Sequence, residues 1–181
     1  QSVFTAAGLN SKKSENISID KYIDNFSGIL EKYQNKEYSK IFLSNVKKVI
    51  EKENLIKKSE KELPLSRKVA LTLFRAMRYK DEYEVARLHT SGDFAQTFLN
   101  ENKNAKLEYY LAPPLFSKKD PDTGHLLKRR FGHSVYKIFK ILSYFKFLRG
   151  TKLDIFGYTL ERKKERALAQ KTITTLSLIH I

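Results

Sequence analysis

Apolar residues recur at three- and four-residue spacing in three successive segments, and this helical period constrains the fold more than any other feature of the sequence. Ser18 or Asp20 can cap the first helix, and Ser66, just after Pro64, can cap the third. The first two helices follow each other closely, so we expect a helical hairpin. The three stripes consist of Tyr22, Ile23, Phe26, Ile29, Leu30 and Tyr33, then Phe42, Val46, Val49, Ile50 and Ile56, then Ala70, Leu73, Phe74 and Met77.

A short β-hairpin is expected in the second half of the chain. Residues 106–112 have the composition of a strand, and a pair of prolines at 113–114 ends it. Residues 126–131 form a second candidate strand, which can pair with the first across the turn-rich sequence at 120–124.

Two further helices are expected after the hairpin. Ser134 can cap a helix that reaches about residue 148, and apolar residues cover more than half of its circumference, so we expect burial on more than one side. Thr159 can cap a strongly charged last helix that ends near residue 170. Together the elements predict a mainly helical α+β fold, with a helical leader to about residue 62 and then a compact helical domain with a short β-hairpin.

The composition is that of a globular chain, and it excludes several kinds of site. With 181 residues, 41% of them hydrophobic, the chain is long enough to bury a core. It contains no cysteine, which excludes disulfides, thiolate zinc sites, a cysteine nucleophile and cysteine-ligated iron–sulfur clusters. Its seven glycines form no nucleotide-binding motif, and its four histidines lack metal-ligand spacing. We therefore predict no catalytic, cofactor-binding or metal-binding residue in this segment.

The net charge of +15 raises the alternative of nucleic-acid binding. Acidic residues alternate with basic ones through 47–61 and 161–166, which is typical of solvated helix faces. The rival prediction is a stand-alone basic helical module that binds nucleic acid, with a single basic face flanked by exposed aromatic residues. A large exposed apolar patch would instead indicate a part of a larger protein that lacks its partner domain.

Two groups of charged and aromatic residues are candidates for a structural or docking role. In the first group, helical spacing places Lys80 beside Glu84 and Glu84 beside Arg87, as in a salt-bridged helix face. In the second group, arginine–carboxylate pairs, with Arg166 among the arginines, can hold a loop against the last helix. The candidate residues are Lys80, Asp81, Glu82, Tyr83, Glu84, Arg87, Arg130, Arg149, Asp154, Tyr158 and Arg162.

Five segments stand out by their order and spacing. They are YKDEYEVARL at 79–88, YLAPPL at 110–115, DPDTG at 120–124, KRRFG at 128–132 and LRGTKLDIFGY at 148–158, which Glu161 and Arg162 follow. Together these segments closely resemble the C-terminal domain of the long-chain indolepyruvate ferredoxin oxidoreductase family. The helical segment at 20–38, with YQN at 33–35, resembles the segment that joins this domain to the preceding gamma-type domain. The resemblance covers most of residues 17–168.

The resemblance implies a function for a parent protein and a role for this segment. The family decarboxylates aryl 2-oxoacids with thiamine diphosphate and Mg, passes electrons through 4Fe-4S clusters to ferredoxin, and releases an acyl-CoA. Its cofactors bind to upstream domains, so this chain is expected to be a non-catalytic, C-terminal part of the oxidoreductase that supports packing and assembly. The expected partners are the upstream domains of the same enzyme, with ferredoxin as a partner of the whole enzyme, and a homo-oligomer is left open.

The resemblance also divides the chain into parts. Residues 1–62 correspond to the end of the gamma-type domain and a helical linker, and residues 63–170 to the C-terminal domain of the family. Residues 171–181 depart from the family, and the last six resemble the translation of an adapter used in sequencing libraries. We therefore expect a non-native or disordered tail.

No signal for export or for membrane insertion is visible in the sequence. The first residues lack a basic region followed by an apolar core. The most apolar run, at 138–148, is interrupted by Lys140 and Lys146, so it is too polar to cross a membrane. We expect a cytoplasmic location.

Overall fold

The computed structural model describes residues 17–56, 63–91, 97, 100–102, 108–112, 117–118 and 120–177. Within these residues lie six α-helices, one short 3-10 helix and a two-stranded antiparallel sheet, which confirms the predicted mainly helical α+β fold. No helix in these ranges is long and apolar enough to cross a membrane. The elements are α1 (Ile19–Tyr33), α2 (Lys36–Ile56), α3 (Pro64–Met77), α4 (Glu82–Thr90), β1 (Tyr109–Leu111), β2 (Arg129–Phe131), α5 (Ser134–Tyr144), the 3-10 helix (Phe145–Leu148) and α6 (Leu160–Ser177).

Two compact units divide the chain, and each is described by itself. The first unit comprises Gln1–Asp81 and Phe147–Ile181, and the second comprises Glu82–Lys146. Helices α1, α2 and α3 share one hydrophobic core in the first unit, so its packing continues across residue 62. The expected division at residue 62 therefore does not coincide with a packing boundary. The assignment of residues 1–62 and 63–170 to different domains of the family stays a prediction.

Phe26 lies at the centre of the core of the first unit. Its ring stacks on Phe74 of α3 with 4.3 Å between the centroids, and it meets the rings of Phe42 and Tyr22 edge-on at 6.3 and 4.7 Å. The predicted stripes supply this core, although Ile56, the last residue of α2, is exposed. The buried members are Tyr22, Ile23, Phe26, Leu30, Tyr33, Phe42, Val46, Ala70, Leu73, Phe74 and Met77.

Two predicted helix caps are confirmed. At the start of α1, the Ser18 hydroxyl accepts a hydrogen bond from the Lys21 N–H at 3.4 Å. At the start of α6, the Thr159 hydroxyl accepts one from the Arg162 N–H, also at 3.4 Å. Each cap satisfies a backbone N–H group that the helix itself leaves without a partner.

The start of α3 differs from the prediction. The helix begins at Pro64, and the expected cap Ser66 lies within its first turn. The acceptor is instead Glu53 of α2, which is buried. Its carboxylate accepts hydrogen bonds from the N–H groups of Leu65 at 3.1 Å and Ser66 at 2.7 Å, and from the Ser66 hydroxyl at 2.6 Å. The negative charge of Glu53 also balances the positive end of the α3 dipole. A residue of α2 therefore caps α3.

Helix α6 is longer than predicted. It continues to Ser177 and does not end near residue 170. Ala169 is buried, and Ile173 and Leu176 follow it at helical spacing and pack against the core of the first unit. The expected disorder is therefore wrong for 171–177, because these apolar residues extend the buried side of the helix. Their non-native origin stays a prediction, and residues 178–181 lie outside the described part of the chain.

The second unit is built on a small core between α4, α5 and the β-hairpin. Ala86, Tyr109, Val135 and Phe139 are buried in it. The ring of His89 stacks on Phe139 with 5.4 Å between the centroids and meets Tyr109 edge-on at the same distance. Aromatic contacts therefore contribute much of this core.

The predicted β-hairpin is present, with shorter strands. Strand β1 pairs antiparallel with β2, so that Tyr109 lies opposite Phe131 and Tyr110 opposite Arg130. Each strand has three residues. The parts of the expected first strand at 106–107, and the prolines that follow it, lie outside the described residues.

The turn expected at 120–124 is also present. Asp120 accepts hydrogen bonds from the N–H groups of Asp122 and Thr123, both at 2.9 Å. These backbone donors, Thr123 first, lower the pKa of the Asp120 carboxyl. Gly124 has a φ of +68°, a conformation that glycine adopts without a steric cost.

Helix α5 differs from its prediction in its start, its end and its burial. Ser134 is its first residue and not its cap, and a 3-10 helix replaces the α-helix after Tyr144. Val135 and Phe139 are buried, because α4 and the hairpin pack against the side that carries them. The expectation of burial on more than one side is wrong: Ile138, Ile141 and Tyr144 are exposed.

We expect Glu53→Ala to lower the free energy of unfolding by about 2–3 kcal/mol, because three donors at the start of α3 lose a charged acceptor inside the fold. Chemical denaturation of the full chain measures this loss. Glu51→Ala is the matched control, since Glu51 lies on the same helix and is exposed. Equal losses in the two variants would contradict the capping role of Glu53.

Candidate functional site

Arg149 lies at the centre of the candidate site, where its side chain is 3% exposed. Its Nε and Nη2 donate to the two carboxylate oxygens of Asp81, with 2.8 Å between Nη2 and Oδ1. Its Nη1 donates to the carbonyl oxygen of Tyr33 at 2.6 Å. Gly150 has a φ of +80° and lets the chain turn directly after Arg149. One side chain therefore joins the end of α1, the stretch after α3 and the turn before α6.

Three tyrosine rings lie around this ion pair. The guanidinium carbon of Arg149 is 3.7 Å from the centroid of the Tyr33 ring, which is a cation–π contact. The Tyr33 ring is 6.2 Å from the ring of Tyr79 and 6.1 Å from that of Tyr38. The Tyr33 hydroxyl donates to the carbonyl of Tyr79 at 3.1 Å, and the Tyr38 hydroxyl to the carbonyl of Met77 at 2.8 Å. These bonds hold the chain that follows α3 in place.

Burial raises the pKa of the tyrosines in this cluster, and hydrogen bonds and neighbouring groups raise that of Arg149. Burial raises the pKa of Tyr33, Tyr38 and Tyr79 above the ordinary value of 10.0, so the hydroxyls stay protonated and can donate. Burial alone lowers the pKa of Arg149, but the hydrogen bonds to Asp81 and the neighbouring groups raise it above its usual value. The stability that the tyrosines contribute is fully present below pH 10.0, their unfolded pKa, and is lost as the pH rises through their higher folded values.

Asp154 organises the loop between Arg149 and α6. Its Oδ2 accepts a hydrogen bond from the Gly150 N–H at 2.8 Å, and its Oδ1 accepts one from the Gly157 N–H at 3.0 Å. Arg166 of α6 donates through Nη2 to Asp154 Oδ2 at 3.3 Å and to the Gly157 carbonyl at 3.1 Å. As expected, an arginine–carboxylate pair holds this loop against the last helix.

Other candidate residues of the first unit have partners that differ from the expected ones. Arg162 pairs with Glu165 of its own helix at 2.5 Å. The Tyr158 hydroxyl donates to the carbonyl of Lys152 at 2.7 Å. Lys80 is exposed and precedes the first residue of α4, so the helical spacing expected of it does not apply.

In the second unit, Glu84 and Arg87 form the predicted pair within α4. Arg87 donates through Nε and Nη2 to the two carboxylate oxygens of Glu84, at 2.8 and 2.9 Å. Glu84 is buried, so this pair is a packed part of the unit and not a solvated helix face. The remaining candidates are Tyr83, which is buried, Glu82, which is half-buried, and Arg130, which lies 3.5 Å from Glu108 in an exposed pair.

A small cleft of about 250 Å³ lies beside Arg149. Its lining includes Tyr38, Tyr79 and Arg166. The positive charges at its wall are already compensated, that of Arg149 by Asp81 and that of Arg166 by a second carboxylate. In the described part of the chain, no group of three or more histidine, aspartate or glutamate residues can hold a metal ion. Both guanidinium groups at the cleft are therefore held in ion pairs within the protein.

Sequence reasoning identified both partners of the buried ion pair but did not pair them. Asp81 and Arg149 are 68 residues apart, and no short-range pattern connects them. The roles of Tyr38, Tyr79 and Glu53 were missed entirely. A signal existed for Tyr79, which lies two residues before Asp81 in one of the five segments.

Residues 19–179 match a family of unknown function, DUF6537. The match spans residues of both compact units and includes the whole Arg149 cluster. No curated protein and no solved structure matches the chain.

Removal of either partner of the buried ion pair is expected to lower the free energy of unfolding by about 3–5 kcal/mol, because the other charge is left buried. Chemical denaturation of Arg149→Met, Asp81→Asn and the double variant measures the effect. The double variant is expected to lose less than the sum of the single losses. Arg130→Met, at an exposed pair, is the control and should change stability by less than about 1 kcal/mol. Additive losses would show that the two residues do not act as a pair.

Gly157 is expected to accept a side chain only at a cost in stability. A Cβ there would overlap the Arg166 guanidinium and the Asp154 carboxylate. We expect Gly157→Ala to lower the free energy of unfolding by about 1–3 kcal/mol. The matched control is Gly28→Ala in α1, where a Cβ meets no atom within 4 Å and alanine favours the helix. A melting temperature of Gly157→Ala that equals or exceeds that of the unchanged chain would refute the packing argument.

Proposed function

The chain belongs to this family of unknown function, DUF6537, and we propose that it is a non-catalytic part of a larger cytoplasmic enzyme, in which it supports packing and assembly. The proposed parent resembles indolepyruvate ferredoxin oxidoreductase: it decarboxylates aryl 2-oxoacids, forms acyl-CoA and passes electrons to ferredoxin. The order and spacing of the five segments described above support this assignment.

The observation that carries the proposal is that three of the resembling segments meet in one buried cluster. Tyr33 comes from the YQN segment, Asp81 from 79–88, and Arg149 from 148–158. The charges of this cluster are compensated within the protein, as expected for residues that hold a fold together. Catalytic residues need a position that is open to a substrate. A structural role is therefore the function that this geometry supports best.

The cofactors of the proposed parent belong to its upstream domains. A 4Fe-4S cluster is held by thiolate ligands, and this chain has no cysteine to supply them. We assign the clusters, the thiamine diphosphate and the Mg to those domains. The same domains are the proposed partners of this chain, and ferredoxin is the partner of the whole enzyme.

A second candidate function is nucleic-acid binding by a stand-alone basic module, and one observation favours it. Residues 123–146 contain no acidic residue, whereas their basic residues are Lys128, Arg129, Arg130, Lys137, Lys140 and Lys146. Titration of the full chain with single- and double-stranded oligonucleotides at low and high salt tests it. Tight binding that weakens steeply with salt would favour this candidate over the enzyme part.

In the complete parent enzyme, Arg149→Met is expected to reduce the yield of assembled protein severalfold, while kcat/KM per assembled enzyme stays unchanged. The reason is that Arg149 holds the fold and contacts no substrate in the proposed role. Size-exclusion chromatography measures the assembled fraction, and ferredoxin reduction with an aryl 2-oxoacid measures activity. Arg130→Met is the control, since Arg130 is exposed and should affect neither quantity.

The isolated chain provides the complementary test. We expect it to reduce no ferredoxin and to show no iron–sulfur absorbance. Activity of the isolated chain, or a changed KM of the Arg149→Met enzyme at normal yield, would disprove the proposed non-catalytic role.

A further inference from the structure

The outer face of α5 is a set of exposed apolar residues on one side of a helix. Ile138, Ile141 and Tyr144 are 59%, 61% and 70% exposed, and Phe145, at the start of the 3-10 helix, is 42% exposed. The opposite side carries Val135 and Phe139, which are buried in the core of the second unit. Exposed apolar groups of this size, close together on a rigid helix, are typical of surfaces that bind another molecule.

Basic side chains accompany the outer face of α5. Lys137 and Lys140 are exposed on the same helix, and residues 123–146 contain no acidic residue. Helical spacing places Lys137 in one row with Ile141 and Tyr144, at positions i, i+4 and i+7. The face therefore combines apolar contact area with positive charge inside and beside it.

This combination restricts what can cover the face. A second copy of the chain is disfavoured because each copy has a net charge of +15. Nucleic acid is less suited to the face, because only Tyr144 and Phe145 can stack on bases, whereas the aliphatic side chains of Ile138 and Ile141 neither stack nor pair with phosphates. A membrane surface is disfavoured because amphipathic helices that lie on lipid keep their lysines on the polar side, whereas Lys137 lies in the apolar row.

We propose that the outer face of α5 is a docking site for an acidic protein surface, one with an apolar centre that is bordered by aspartate or glutamate residues. The apolar centre covers Ile138, Ile141 and Tyr144, and the carboxylates pair with Lys137 and Lys140. This inference concerns the surface itself and does not depend on which enzyme the chain belongs to.

The test uses the full chain and a synthetic helical peptide with leucines along one face and glutamates on both sides of that face. A second peptide, in which lysines replace the glutamates, is the comparison. Fluorescence anisotropy measures affinity, and shifts in the ¹H–¹⁵N spectrum of the labelled chain locate the contact. We expect the glutamate peptide to bind at least about tenfold more tightly than the lysine peptide, to weaken with salt, and to shift residues 137–145.

A matched pair of variants tests the location. Ile141→Glu places a negative charge at the centre of the face, and we expect it to lower the affinity for the glutamate peptide at least about tenfold. Leu168→Glu is the control, because Leu168 is equally apolar and 59% exposed on α6, and we expect less than a twofold change. Thermal melts establish that both variants stay folded.

Several results would overturn the proposal. These are a lack of binding by the glutamate peptide, equal binding of both peptides, or equal effects of the two variants. The fourth result concerns vesicles of phosphatidylcholine and phosphatidylglycerol, or an oligonucleotide. It is that the chain binds one of these more tightly than the glutamate peptide, and that Ile141→Glu abolishes this binding. That outcome would assign the face to lipid or to nucleic acid.

Discussion

The buried ion pair between Arg149 and Asp81 is the interaction on which the first unit depends. Moving two charges out of water costs several kcal/mol, and this cost is offset only when the surrounding groups complete their hydrogen bonds. Here the guanidinium meets a carboxylate, a backbone carbonyl and the face of the Tyr33 ring. Because Arg149 and these partners come from three distant segments, the pair is complete only when α1, the stretch after α3 and the turn before α6 are all in place.

The features with a local signal were predictable from the sequence. The apolar stripes of α1 to α3 follow from residues spaced three and four apart. Phe26 and Phe74 lie on the buried sides that this spacing indicates. The caps at Ser18 and Thr159 also depend on a side chain and an N–H group three residues apart. Such patterns are visible in one short stretch of sequence, so the fold class followed from them.

The features that depend on distant partners were not predictable. Ser66 has a suitable side chain for a cap, but Glu53 of the neighbouring helix lies at the start of α3 as the acceptor. Helix α5 is apolar on several sides, and periodicity does not tell how many of them find a neighbour in the same chain. For the candidate site, the sequence segments drew attention to Asp81 and Arg149, but only the three-dimensional structure shows that they are buried and pairs them across 68 residues.

The position of Glu53 also decides where the chain can be divided. Helix α3 begins on an acceptor that α2 supplies, so α3 without α2 would start with backbone N–H groups that lack this partner. The two helices therefore form one block, which a truncation or a gene fusion must keep whole if α3 is to keep this cap. A junction at residue 62 would cut this block in two.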